Sequence, residues 1–194
     1  MKLEPVLLEG DVVRLEPLSV GHLDGLCAAG LDPSIWTLTT LRVTTRDEML
    51  RWVQQALALQ QAGTALPFAT VDRRSGAVVG STRFMNAVPE HRRVEIGWTW
   101  IAPAAQRTAV NTEAKLLMLR HAFEVWGCRR VELKTSAVNT RSQAAMRRIG
   151  CTEEGTFRQH MINADGSSRD SVYFSMLDGE WPAARERLTT MLRR

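Results

Sequence analysis

Residues 93–138 restrict the fold more than any other stretch of this chain. They open with RVEIGWTWI at 93–101, a β-prone run rich in Val, Ile and Trp. A short loop follows, and from 111 to 126 the period changes to that of a helix with two apolar stripes. Ala114, Leu117, Met118, His121, Ala122 and Val125 form one stripe; Leu116, Leu119, Phe123 and Trp126 form the other. Gly127 ends this helix, and residues 130–138 alternate Val131, Leu133 and Thr135 against Glu132 and Lys134, as a strand with one buried face does. Strand, helix, strand in that order predicts a right-handed parallel crossover. A helix apolar on two sides must also be covered on two sides, so it is expected near the centre of the molecule.

The flanking segments read as antiparallel structure and outer helices. Residues 12–18 form a first strand that Pro17 helps to end, and Ser19 can cap the short helix after it. Thr45 and Glu48 have the spacing of a capping box, followed by Met49, Trp52, Val53, Ala56 and Leu57 at helical intervals. Residues 66–72 and 78–85 read as a hairpin turning at Arg73-Arg74-Ser75-Gly76, and 154–162 and 169–177 as a second turning at Asn163-Ala164-Asp165-Gly166. Residues 140–149 are a helix closed by Gly150, and 180–193 a terminal helix. One mixed α/β domain of 194 residues around a single sheet is the expectation.

Composition removes several functions. The Arg pairs at 73–74, 92–93, 129–130 and 147–148 are dispersed, so a formal charge of +4 makes a solvated or phosphate-facing surface rather than a nucleic-acid site. No stretch approaches the ~18 apolar residues of a membrane helix. Cys27, Cys128 and Cys151 form no CxxC pair, and His22, His91, His121 and His160 share no ligand spacing, so no metal site is expected. Unpaired thiols point to the reducing cytoplasm.

The strand at 94–101 feeds through a turn into a helix N-terminus, aiming free N–H groups and a positive dipole end at one point where a pyrophosphate can bind. The stretch Gln106-Arg107-Thr108-Ala109-Val110-Asn111, continuing into Thr112, resembles the cofactor motif of the GNAT superfamily, with Ala109 and Asn111 in its two small-residue positions. Ala keeps the approach close, and Asn tolerates the left-handed region better than most residues. Residues 139–151, Glu154-Gly155, Arg158, residues 169–175 and Glu180-Trp181-Pro182 resemble the RimJ/RimL-like branch of that superfamily. The resemblance covers nearly the whole chain from Leu15-Glu16-Pro17-Leu18 onward. It implies the GNAT fold: a single mixed, mostly antiparallel sheet with a central parallel strand pair and helices on both faces.

The implied reaction is attack of a neutral amine on the acetyl group of acetyl-CoA, the acceptor being a protein N-terminus or a small-molecule amine. Glu95, on the central strand, is the candidate base, against a reading in which it is paired structurally with Arg93 or another basic residue. The resemblance assigns oxyanion stabilisation to backbone N–H groups around Trp100 and Ile101, the pantetheine arm to Asn139, and the sulfur to the hydroxyl of Ser142. Ser142 and Asn139 read equally as first-turn and N-cap residues. Many GNAT enzymes place a Tyr where this chain has Met146, which cannot donate a proton. Tyr173 is a weaker donor candidate. Trp36, Trp52, Trp98 and Trp100 read as core or as an acceptor groove, while Arg158 and His160 border the acceptor pocket in that branch. A non-catalytic acyl-CoA-binding protein is the alternative function. Exposed sheet edges leave room for a homodimer.

Overall fold

The computed structural model describes residues 1–193. Eight strands form one sheet: β1 (Leu8–Glu9), β2 (Val13–Pro17), β3 (Ala65–Asp72), β4 (Val78–Val88), β5 (Arg93–Ile101), β6 (Arg130–Ser136), β7 (Thr152–Ile162) and β8 (Ser168–Leu177), in the order β1-β2-β3-β4-β5-β6-β8-β7. Every neighbouring pair is antiparallel except β5 and β6. That parallel pair is the crossover read from residues 93–138, and it is short. Only Arg93↔Arg130, Val94↔Val131 and Glu95↔Glu132 are in register, after which the two strands part.

Helices α1 (Leu23–Gly30) and α2 (Arg46–Gln61) cover one face, where Leu26, Met49, Trp52 and Val53 meet Trp100. On the opposite face, α3 (Ala109–Arg120), α4 (Thr140–Arg148) and α5 (Trp181–Leu192) enclose Phe84, Ile96, Leu117, Met118, Leu133 and Phe174. The capping box forms as its spacing predicts: Thr45 Oγ1 accepts from the Glu48 amide at 3.3 Å, and Glu48 accepts from the Thr45 amide at 3.0 Å. Both hairpins turn on a left-handed glycine, Gly76 at φ +70° and Gly166 at φ +84°.

The central helix departs from the sequence reading at both ends. It starts at Ala109, two residues early, because Thr108 takes the N-cap and accepts from the Val110 amide at 3.3 Å. Its last turn, His121–Val125, is a π-helix. The wider turn shifts the stripe, so Val125, read as buried, is 67 % exposed. The two-sided cover is present, but polar residues share it: Thr112, Glu113 and Lys115 are all buried.

Glu113 explains its own burial. Its carboxylate accepts from the amides of Asp11, Val12 and Val13 at 2.9, 2.7 and 2.7 Å, fixing the start of β2. Gly10 makes the approach possible, since a Cβ there would lie 2.4 Å from Glu113 Cδ. Glu113→Ala strands these amides and is expected to cost roughly 2–4 kcal/mol, read as a lower urea midpoint with little change in slope. An unchanged midpoint would show that water replaces the carboxylate.

Candidate active site

The site is built where β5 and β6 separate. Beyond Glu95, the N–H groups of β5 that point towards β6 lose their strand partner. The register of β5 on β4 also slips between Ser81 and Arg83, and Trp98 sits at φ +50°. This bulge re-aims the backbone just before Trp100 and Ile101, the two positions expected to present donors. Alternation carries no sign of it, because the run from Arg93 to Ile101 reads as one unbroken strand.

Thr99 follows the bulge with an exposed side chain. Beneath it lies Lys115, 5 % exposed, whose Nζ donates to Thr99 Oγ1 at 2.8 Å and stands 3.5 Å from Thr82 Oγ1. No carboxylate pairs with this amine among the described residues. Burial pushes its pKa down to about 7. The same burial pushes the nearby Cys151 thiol up to about 12, so it stays protonated. The sequence reading missed Lys115, since a lysine on a helix ordinarily reads as solvated.

At the end of β5 the chain turns through Pro103–Ala105 into α3. Gln106 spans this loop: its Nε2 donates to Ile101 O at 2.9 Å, and its Oε1 accepts from Arg141 at 3.0 Å. The side chain thus ties the loop to the first turn of α4. The left-handed residue is Arg107, at φ +61°, and not Asn111. Asn111 lies within α3 because the helix has already begun, and its Oδ1 is buried without a partner. Thr112 also departs from its expected role. As the fourth helical residue its amide bonds the N-cap carbonyl, and its hydroxyl accepts from Arg148 at 3.0 Å. The amides of Ala109 and Asn111 precede that ladder, with Arg107 and Arg141 as the nearby charges. Small residues, free amides and a helix dipole at one point fit a pyrophosphate.

The far wall of the splay is the start of α4. Asn139 is its N-cap, with Oδ1 accepting from the Ser142 amide at 3.0 Å. The Ser142 hydroxyl has no protein partner among the described residues and is half-buried. Met146 packs in the core, so no polar group takes that position.

A cavity of about 530 Å³ opens on the α1/α2 face, lined by residues that include Asn86, Arg93, Glu95, Glu132, Phe157 and Tyr173. Glu95 is buried in its wall and accepts from Asn86 Nδ2 at 2.9 Å and Lys134 Nζ at 3.0 Å. The partner of Glu95 is therefore Lys134 and not Arg93, which donates to Glu132 at 3.1 Å. Lys134 Nζ also stands 5.6 Å from the Tyr173 ring, bringing that phenol to the cavity. Phe157 and His160 of β7 pack on Tyr173 at 4.9 and 5.6 Å. Trp36, Trp52 and Trp100 form a buried aromatic cluster, and only Trp98 of that set is half-buried.

Comparison with known proteins decides the family. Residues 13–152 match the model of the acetyltransferase (GNAT) domain. The chain belongs to the GNAT acetyltransferase family. Its structure is similar to that of a GCN5-related N-acetyltransferase from Brucella melitensis, with TM-score 0.92, 36% identity and 99% of this chain and 87% of that one covered. A structure from T. thermophilus, described as an acetyltransferase, gives TM-score 0.89 at 32% identity, covering 99% and 100%. Bacillus subtilis YdaF, provisionally named a ribosomal N-acetyltransferase, is 33% identical over 106 residues. That match covers 55% of this chain and 57% of YdaF. The RimJ/RimL-like resemblance within this GNAT chain is in keeping with these relatives. Among the described residues, no helix is long and apolar enough to cross a membrane, and no side-chain cluster could hold a metal.

Proposed function

We propose that this GNAT chain, as a single domain, transfers acetyl from acetyl-CoA to an amine by direct attack. The observation that carries the reading is the splay itself: β5 leaves β6 just after the buried Glu95, and its far end leads through a short turn into the free N-terminus of α3. The amides of Ala109 and Asn111, with Arg107 and Arg141, would hold the pyrophosphate. Gln106 keeps that loop in place, and Asn139 orders the start of α4 beside the pantetheine arm.

Acetyl-CoA supplies the activated acyl group. Backbone N–H groups of β5 around Trp100 and Ile101 stabilise the developing oxyanion. Glu95 accepts the amine's proton, through water in the cavity it lines, while Lys134 and Asn86 hold its carboxylate in position. The Ser142 hydroxyl hydrogen-bonds the departing sulfur. The name of YdaF supports a protein N-terminus as acceptor, and the open cavity accommodates a small amine equally well. The free thiols Cys27, Cys128 and Cys151 suit a cytoplasmic setting. The exposed edge strand β7 is where a second copy would join.

Two substitutions test separate parts of this reading. Ala109→Leu should weaken acetyl-CoA binding by about tenfold or more, a loss of ~1.4 kcal/mol, with the fold intact by circular dichroism. Unaltered affinity would move the pyrophosphate elsewhere. Ser142→Ala should lower kcat by about tenfold and leave acetyl-CoA affinity nearly unchanged. Equal kcat in the two proteins would return Ser142 to a first-turn role.

A further inference from the structure

We propose that Arg83 binds a carboxylate of the acceptor, so that the substrate is a primary amine bearing a carboxylate within a few bonds of its nitrogen. The inference rests on the acetyl-transfer reading and names its acceptor.

Arg83 is 3 % exposed, yet no carboxylate or hydrogen-bond acceptor partners its side chain among the described residues. Its Nε is buried and unpaired. The guanidinium carbon lies 5.2 Å from the Trp52 ring and 5.0 Å from the Trp98 ring, a slot with aromatic walls. Stacking recovers part of the desolvation cost, but a buried cation without a counter-ion remains expensive. Burial pushes its pKa down to about 10, so it stays charged at neutral pH. The chain pairs other arginines near the splay: Arg93 and Arg130 both meet Glu132. Arg83 is left with a planar fork of donors, the geometry suited to bidentate carboxylate binding.

Its position relates it to the chemistry. Across β4 and β5, Arg83 is opposite Gly97 and Met85 opposite Glu95, so Arg83 and Glu95 share the α1/α2 face as diagonal neighbours. Residues in that relation are about 7–8 Å apart, with their Cβ atoms somewhat closer. Gly97 keeps the space between them clear, since a Cβ there would sit 3.1 Å from Glu95 Oε1. Trp98, half-buried at the bulge, puts the guanidinium one ring below the surface. An amine delivered towards Glu95 thus leaves a carboxylate a few bonds away within reach of Arg83. Free amino acids have that chemistry, as do peptide N-termini with an acidic side chain in the first two residues.

The test uses matched acceptors with the whole chain: free amino acids against their carboxamides, and peptides beginning Ser-Asp against Ser-Asn. Thiol release is followed with acetyl-CoA, and tryptophan fluorescence reports acceptor binding in the presence of CoA. Wild type should prefer the carboxylate member of at least one pair by about 100-fold in kcat/KM, and the arm showing the preference identifies the source. Arg83→Gln should bring that ratio near one with acetyl-CoA affinity unchanged, and Arg83→Lys should keep part of it. Equal use or equal binding of both members by wild type overturns the proposal, as does a preference that survives in Arg83→Gln. If Arg83→Gln does not fold, the wild-type ratios and Arg83→Lys still decide. Loss of both acetyl-CoA binding and thiol release would instead count against acetyl transfer itself. Transfer without carboxylate preference sinks the Arg83 assignment alone.

Discussion

Glu95→Gln is expected to lower kcat/KM for acetyl transfer by about 100-fold at neutral pH, with acetyl-CoA affinity nearly unchanged. Glutamine preserves the side-chain volume in the cavity wall and can still meet Asn86, so the fold should survive. What disappears is the buried carboxylate proposed to take the amine's proton. Lys134, which donates to Glu95 at 3.0 Å, would lose its ionic partner, so Lys134→Met is the control. If pairing is the whole role of Glu95, the two variants should lose stability together and activity only in proportion. If Glu95 is the base, Glu95→Gln should also change the pH profile of kcat/KM, which a purely structural partner would leave in place. Full turnover with an unaltered pH profile would remove Glu95 from proton transfer.

Lys115→Met should stabilise the protein at pH 6 by on the order of 3 kcal/mol, roughly 6–12 °C in Tm. The amine is held at the floor of the splay by Thr99 and Thr82, and its pKa falls from 10.5 to about 7 on folding. Between those values the unfolded chain binds the additional proton, so stability rises with pH across that window. Below it, Lys115 is charged in both states and burial destabilises the fold fully. The advantage of Lys115→Met over wild type should therefore shrink as the pH rises from 7 towards 10. The groups facing this amine are Thr82 on β4, Thr99 on β5 and Cys151 before β7, whose thiol remains neutral over the same range. Urea unfolding of both proteins at pH 6, 8 and 9.5 checks the trend, and a stability difference that does not vary with pH would show that water reaches the ammonium.

The fold was legible wherever one residue type has one local consequence. The crossover followed from a change of period at residue 111, the α2 start from Thr45 and Glu48, and both hairpins from Gly76 and Gly166. The site was legible in outline for the same reason, because a strand running into a helix N-terminus marks an anion site whatever its side chains. Its working parts were less so. Trp98 carries no mark of its left-handed backbone, which the register slip on β4 imposes. Glu113 and Lys115 look like the outer face of a helix. Their burial depends on Asp11–Val13 amides and on Thr99, contacts that no local pattern contains. Arg83 sits in a strand run as one more polar residue, and only the placement of Trp52 and Trp98 on either side reveals an unpaired cation.

Calorimetric titration of the protein with acetyl-CoA, followed by thiol release over a panel of amines and N-terminal peptides, bears most directly on acetyl transfer at the β5/β6 splay. Saturable binding, with thiol released on addition of at least one acceptor and both responses weakened by Ala109→Leu, is the expected outcome. Absence of acetyl-CoA binding by the folded protein would refute the assignment of the splay as an acetyl-transfer site.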